Sequence, residues 1–289
     1  MNPTPVEHRI QVAADVDLRV REWGRPAPDA SPFLLVHGLA SNARLWDGAG
    51  MRLAAAGHHA IAVDQRGHGR SAKPDHGYDF ATVTSDLVAV LDGLEIDTAV
   101  WVGQSWGGNV VIEGAWAHSE RVTGAAAVDG GIIELGSRFA TWDECATALR
   151  PPALSGVPLS RIEAAMRSAN ADWPDEGIEG ALANFEVLDD GTIRPWLTLE
   201  RHMAILRALY DHRPGERLAT IDRPVLFVLA DSGEQDWTLD KRAAVAAAER
   251  ALARSRTVWF SPAHHDLHAQ QPDRFVATLL DAHRDGFFS

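Results

Sequence analysis

The chain has 289 residues, 46% of them hydrophobic and 23% charged, which is ordinary globular usage and excludes a disordered polymer. Its 27 Lys and Arg stand against 40 Asp and Glu, a formal charge of −13. That balance argues against a nucleic-acid partner or an anionic membrane, both of which need a positive surface field. The single cysteine, Cys145, excludes an internal disulfide and a cysteine-built zinc site.

The first residues have no basic start followed by an apolar run, and no stretch approaches the length of a membrane span. The expectation is therefore a cytoplasmic protein without a signal segment. In chain order, Val6 to Ala13 and Asp17 to Trp23 alternate apolar and polar residues around a short turn, as a half-buried hairpin does. The proline-rich segment Arg25 to Pro32 reads as a loop. Continuous apolar runs follow at Phe33–Val36, Ala60–Val63, Ala99–Val102, Ala125–Val128, Val225–Leu229 and Thr257–Phe260. Such runs mark strands buried on both faces. Helix-length segments separate them: Ala43 to Ala56, Thr82 to Leu94, Ser105 to His118, Leu239 to Ala253 and Pro272 to His283. This alternation predicts an α/β fold with a mostly parallel central sheet flanked by helices.

The interval between the fourth and fifth runs is far longer than the others and holds no comparable run. Helices are expected there at Ser160 to Asn170, Glu176 to Phe185 and Leu199 to Leu209, interrupted by Pro151-Pro152 and by Asp189-Asp190-Gly191. The predicted organisation is a core in two parts, 1–132 and 215–289, with a helical cap inserted at 133–214.

Gly103-Gln104-Ser105-Trp106-Gly107 has the pattern G-x-S-x-G, and it lies between a buried strand and a helix. That context marks a nucleophile elbow, where a sharp turn presents the serine oxygen above the sheet beside a helix N-terminus. The plainer alternative is a serine capping a helix after a glycine turn. A serine hydroxyl needs a base, and the segment after the last strand, Ser261 to His268, offers three histidines: His264, His265 and His268. With Asp266 these could instead form a metal site. An oxyanion needs two backbone donors. Trp106, next to the serine, is one candidate, and Leu39, after the turn at His37-Gly38, is the other. His37 is expected to hold that loop by hydrogen bonds.

These segments resemble the α/β-hydrolase family over nearly the whole chain. The motifs that carry the resemblance are His37-Gly38, the D-x-R-G-x-G-x-S stretch Asp64 to Ser71, the elbow Gly103 to Gly108, and the C-terminal histidine segment. The resemblance implies a base seven residues before the Pro272-Asp273 pair, which is His265. It also implies an acid in the loop after Val225–Leu229. That loop, Ala230 to Trp237, departs from the usual Gly-x-x-Asp spacing, and its Asp236 stands two residues late. Some relatives take the acid from the end of the preceding strand, here Asp129. Asp129 is thus the expected acid and Asp236 the alternative.

The expected activity is serine hydrolysis of a small, largely apolar carboxylic ester or lactone through an acyl-enzyme, with no cofactor and no metal. Trp46, Ile132 and Trp142 are the expected substrate-contacting residues. Other readings are a C–C bond hydrolase, a proline iminopeptidase-like amidase and, in another class, a ligand sensor with slow or absent turnover. Haloalkane dehalogenase and epoxide hydrolase chemistry needs a carboxylate nucleophile where this chain has serine. A small-molecule substrate is the expected partner, and the sequence leaves the oligomeric state open.

Overall fold

The computed structural model describes residues 4–25, 31–233 and 235–288, with side chains for all of these except 235–237. Ten strands are found among the described residues: β1 (Val6–Ala13), β2 (Val16–Trp23), β3 (Phe33–Val36), β4 (Ala60–Val63), β5 (Ala99–Gln104), β6 (Val122–Val128), β7 (Phe185–Val187), β8 (Ile193–Pro195), β9 (Val225–Ala230) and β10 (Ser255–Phe260). Eight form one sheet in the order β1-β2-β4-β3-β5-β6-β9-β10. The pairs β1–β2 and β2–β4 are antiparallel, and every later pair is parallel. The apolar runs seen in the sequence are these parallel strands.

The helices are α1 (Asp47–Ala55), α2 (Phe80–Gly93), α3 (Trp106–Ala117), α4 (Leu135–Arg138), α5 (Trp142–Ala148), α6 (Leu159–Ala169), α7 (Asp175–Leu182), α8 (Leu199–Asp211), α9 (Gly215–Leu218), α10 (Gln235–Ala251), α11 (Leu267–Gln270) and α12 (Pro272–Arg284). Strand alternation sends Phe33 and Leu35 into one core with α1 and α12, through Leu53, Phe275 and Leu279. Leu34 and Val36 enter the other core with α2, α3 and α10, through Leu87, Val110 and Ala248. Covering both faces explains the unbroken apolar runs of the central strands. No described helix is long and apolar enough to cross a membrane.

Residues 133–214 add no strand to the large sheet. Besides helices they contain the short antiparallel pair β7–β8, which corrects the expectation of a helix running to Phe185 in this mainly helical interval. The helix stops at Leu182. Asp189-Asp190-Gly191 then turns the chain back, with Gly191 at φ +76° and Asp190 Oδ1 accepting from Thr192 N at 2.9 Å. Three-residue strands are too short to show a period, so the pattern was invisible. The segment is tied to the sheet by Asn42 Nδ2, which donates to Gly180 O (2.9 Å) and Asn184 Oδ1 (2.6 Å). The Arg52–Glu176 ion pair (2.9 Å) and the Gln270–Asp172 hydrogen bond (2.5 Å) add to this.

The Asp64 to Ser71 turn is a fastening. The buried Asp64 carboxylate accepts from Ala43 N (2.7 Å) and Arg70 N (2.9 Å) and pairs with Arg19 (3.2 Å). Gly69 is required because a Cβ there would lie 2.3 Å from Asp64 Oδ2. Buried histidines form a second group. His268 is 1% exposed, lies with its ring centroid 4.0 Å from that of Trp46, and has no hydrogen-bond partner on either ring nitrogen. Burial pushes it down to about 3, and His37 to about 4. Each must stay neutral in the fold but takes a proton on unfolding, so stability is lost as pH falls from about 6.5 toward those values. His268→Phe is therefore expected to flatten the slope of unfolding free energy between pH 6 and 4 by about 1.4 kcal/mol per pH unit. Urea titrations of both proteins across that range check it.

Candidate active site

The elbow is built by the glycines around it. Ser105 sits at φ 54°, ψ −119°, a conformation that costs a non-glycine residue about 1–3 kcal/mol and persists only where the surroundings enforce it. A Cβ on Gly103 would lie 2.0 Å from Gly107 O, and one on Gly107 would lie 2.4 Å from Val36 O. The strand end, the turn and the first turn of α3 therefore touch backbone to backbone. Ser105 N donates to Val128 O at 2.8 Å, which extends the β5–β6 pairing through the serine.

Asp129 follows β6 directly, at φ 43°. The next residue must be glycine, since a Cβ on Gly130 would lie 2.1 Å from Ser105 O. The Asp129 side chain is 3% exposed, and its Oδ2 lies 2.6 Å from His265 Nδ1. Its other oxygen accepts from Ala230 N (3.0 Å) and from Lys241 Nζ (2.7 Å). Burial alone would raise this carboxyl. The His265 hydrogen bond and the charges of His265 and Lys241 outweigh it, so it lies below its ordinary value. For His265, desolvation pulls the imidazole down, but the Asp129 hydrogen bond and the carboxylates of Asp266 and Asp129 leave it raised above 6.5. The side chain of Asp236, the alternative acid, lies outside the described residues.

Ser105 and His265 line one cavity of about 130 Å³ with Leu39, Ala40, Ser41, Leu45, Gln104, Ala181, Asn184 and Asp266. Leu39 comes close because Gly38 lacks a side chain: a Cβ there would lie 2.3 Å from Gln104 Oε1 and 3.1 Å from Ser105 Cβ. Trp106 is the first residue of α3, so its N–H has no acceptor within the helix. His37 holds this loop, accepting from Gln65 N through Nε2 (3.0 Å) and contacting Gly38 O through Nδ1 (2.8 Å).

The expected substrate wall is elsewhere. Trp46 is fully buried in the core with Phe275. Ile132 packs against the opposite core. Trp142 packs on Tyr210 (ring centroids 5.8 Å apart) beneath Arg207. None of the three lines the cavity, because large apolar surface is used first to join layers. The residues that do line it, Ser41, Asn184 and Asp266, carry no apolar signal and come from three separate segments. Lys241, also unanticipated, reaches Asp129 from α10, and nothing local in its sequence marks it.

The three histidines of the C-terminal cluster diverge, while Asp266 stays beside His265 on the cavity wall. His265 turns to Asp129, His268 to Trp46, and His264 lies near Trp173. Among the described residues, no group of three His, Cys, Asp or Glu side chains is placed to hold a metal ion.

Residues 33–278 match the family described as "Alpha/beta hydrolase family". Epoxide hydrolase A of Mycobacterium tuberculosis (strain ATCC 25618 / H37Rv) is 42% identical over 115 residues, which is 39% of this chain and 35% of that protein. The chain thus spans about a third of that curated relative's length. Esterase YbfF of Escherichia coli (strain K12) is 28% identical over 252 residues, covering 86% of this chain and 91% of that one. Among solved structures, an E-2-(acetamidomethylene)succinate hydrolase superposes with a TM-score of 0.74 at 24% identity, covering 96% of this chain and 98% of the other. At that identity the likeness is one of fold.

Proposed function

The chain belongs to the alpha/beta hydrolase family, and from that premise we propose that it is a serine hydrolase that cleaves a small carboxylic ester or lactone through an acyl-enzyme. One observation carries the reading: His265, bonded to the buried Asp129 at 2.6 Å, shares a single cavity with Ser105 on its strained elbow. Strain of this kind, beside a coupled imidazole and carboxylate, is the arrangement nucleophilic catalysis needs.

In the proposed mechanism Ser105 Oγ attacks the carbonyl carbon while His265 Nε2 accepts its proton. The N–H groups of Leu39 and Trp106 receive the developing oxyanion. Asp129 fixes the tautomer with Nδ1 protonated and stabilises the imidazolium. The imidazolium protonates the leaving alkoxide as the tetrahedral intermediate collapses. Water, deprotonated by the now neutral His265, then attacks the ester carbonyl, and its collapse returns the proton to Ser105 and frees the acid. The residues 133–214, which supply Ala181 and Asn184 to the cavity, act as its cap. Epoxide opening, the activity named for the M. tuberculosis relative, needs a carboxylate where this chain has Ser105.

Intact-mass measurement after a fluorophosphonate probe tests the reading, alongside turnover of p-nitrophenyl acetate and butyrate. One adduct on the wild type, none on Ser105→Ala, and sustained multiple turnover are expected. An adduct without turnover would favour a ligand sensor. Absence of both would remove Ser105 from the chemistry.

A further inference from the structure

The cavity that holds Ser105 has a mixed lining, with Leu39, Ala40, Leu45 and Ala181 on its apolar side. Six of its ten lining residues are polar: Ser41, Gln104, Ser105, Asn184, His265 and Asp266. Three of these neither make nor break a bond in the proposed mechanism and are incompletely satisfied. Ser41 is 9% exposed, and its hydroxyl has no hydrogen-bond partner. Asn184 Oδ1 accepts from Asn42 Nδ2, which leaves it a second lone pair. Asp266 heads α11 without capping it, and its carboxylate makes no hydrogen bond or ion pair with any described residue.

Asp266 is half-buried on the cavity wall, and desolvation raises its carboxyl above the ordinary value. Its position gives the charge a functional bearing, because Asp266 adjoins His265 and shares a wall with Ser105. A negative charge there repels an anionic substrate and opposes the oxyanion of acyl transfer. A cationic substrate group reverses both effects. The remaining free acceptors, the Ser41 hydroxyl and the second lone pair of Asn184 Oδ1, suit the several N–H donors of an ammonium. The net charge of −13 adds a field that steers cations inward.

We propose that the cavity is an ammonium subsite and that the enzyme's substrates are short esters carrying a protonated amine, bound by Asp266 with Ser41 and Asn184. This rests on Ser105 being the nucleophile. A cavity of about 130 Å³ is close to the size that admits one small ring, roughly 150 Å³, so the amine-bearing fragment is small.

Two isosteric pairs test it near neutral pH. Methyl 3-aminobutyrate is compared with methyl isovalerate, and 2-(dimethylamino)ethyl isobutyrate with 3-methylbutyl isobutyrate. The expected result is kcat/KM at least tenfold higher for the cation in one pair, with that ratio falling at least tenfold in Asp266→Asn. The pair that discriminates shows which side of the ester enters the subsite. As a readout independent of the variant's folding, isobutylammonium should inhibit wild-type hydrolysis of methyl isovalerate competitively, at a concentration at least tenfold below isobutanol. Turnover of the neutral esters through Ser105 without cation preference in either pair would overturn the subsite and leave the hydrolase reading standing. A ratio unchanged in a folded Asp266→Asn protein would also overturn it. No turnover of any ester, with Ser105 unlabelled, would overturn both.

Discussion

Asp129→Asn is expected to lower kcat by about 10⁴-fold while Asp236→Asn stays close to wild type. Asp129 Oδ2 meets His265 Nδ1 at 2.6 Å, and its Oδ1 is held by Ala230 N and Lys241 Nζ. Asparagine can keep the shape but cannot stabilise an imidazolium, and its amide can bind the wrong tautomer. The pH profile separates this effect from misfolding. His265 must be neutral to take the serine proton, and its raised value sets the acid limb of kcat/KM above pH 6.5. Without the Asp129 charge that limb moves to lower pH. The coupling also affects stability: the Asp129 contribution is present above its unfolded value near 3.8 and lost below it. The His265 contribution is present below 6.5 and lost as pH rises through the folded value. An Asp129→Asn enzyme within about tenfold of wild type would place the acid elsewhere.

Gly107→Ala is expected to destabilise the protein by about 3 kcal/mol or more. The added methyl would lie 2.4 Å from Val36 O and 2.6 Å from His37 O. Both are backbone atoms, at the end of β3 and in the loop that follows it. β3 is paired on both sides, by β4 and β5, so it cannot yield without disturbing the sheet. Gly191→Ala is the control. Unlike Gly107 it has positive φ, at +76°, but a Cβ there meets nothing within 4 Å, so only backbone strain is added, about 1 kcal/mol. Denaturant midpoints of the two variants should differ clearly. Equal midpoints would mean that the elbow has room that its backbone contacts deny.

The sequence by itself determined the strands, the principal helices and the elbow. Each depends on neighbours in the chain: β5, Ser105 and α3 are consecutive, and burial on both faces writes itself as an unbroken apolar run. His265 was legible only through its distance from Pro272, because His264, His265 and His268 are chemically equal in the sequence. The tertiary structure separates them by what each ring meets, and only one meets Asp129. It likewise decided what lines the cavity. Trp46, Ile132 and Trp142 looked like a substrate wall because large apolar residues lay near the expected loops, but Trp46 is buried in one core and Ile132 and Trp142 pack half-buried against the other. Ser41, Asn184 and Asp266 converge on the cavity from segments as far as 225 positions apart in the chain, and a meeting at such distance leaves no periodicity or spacing to read.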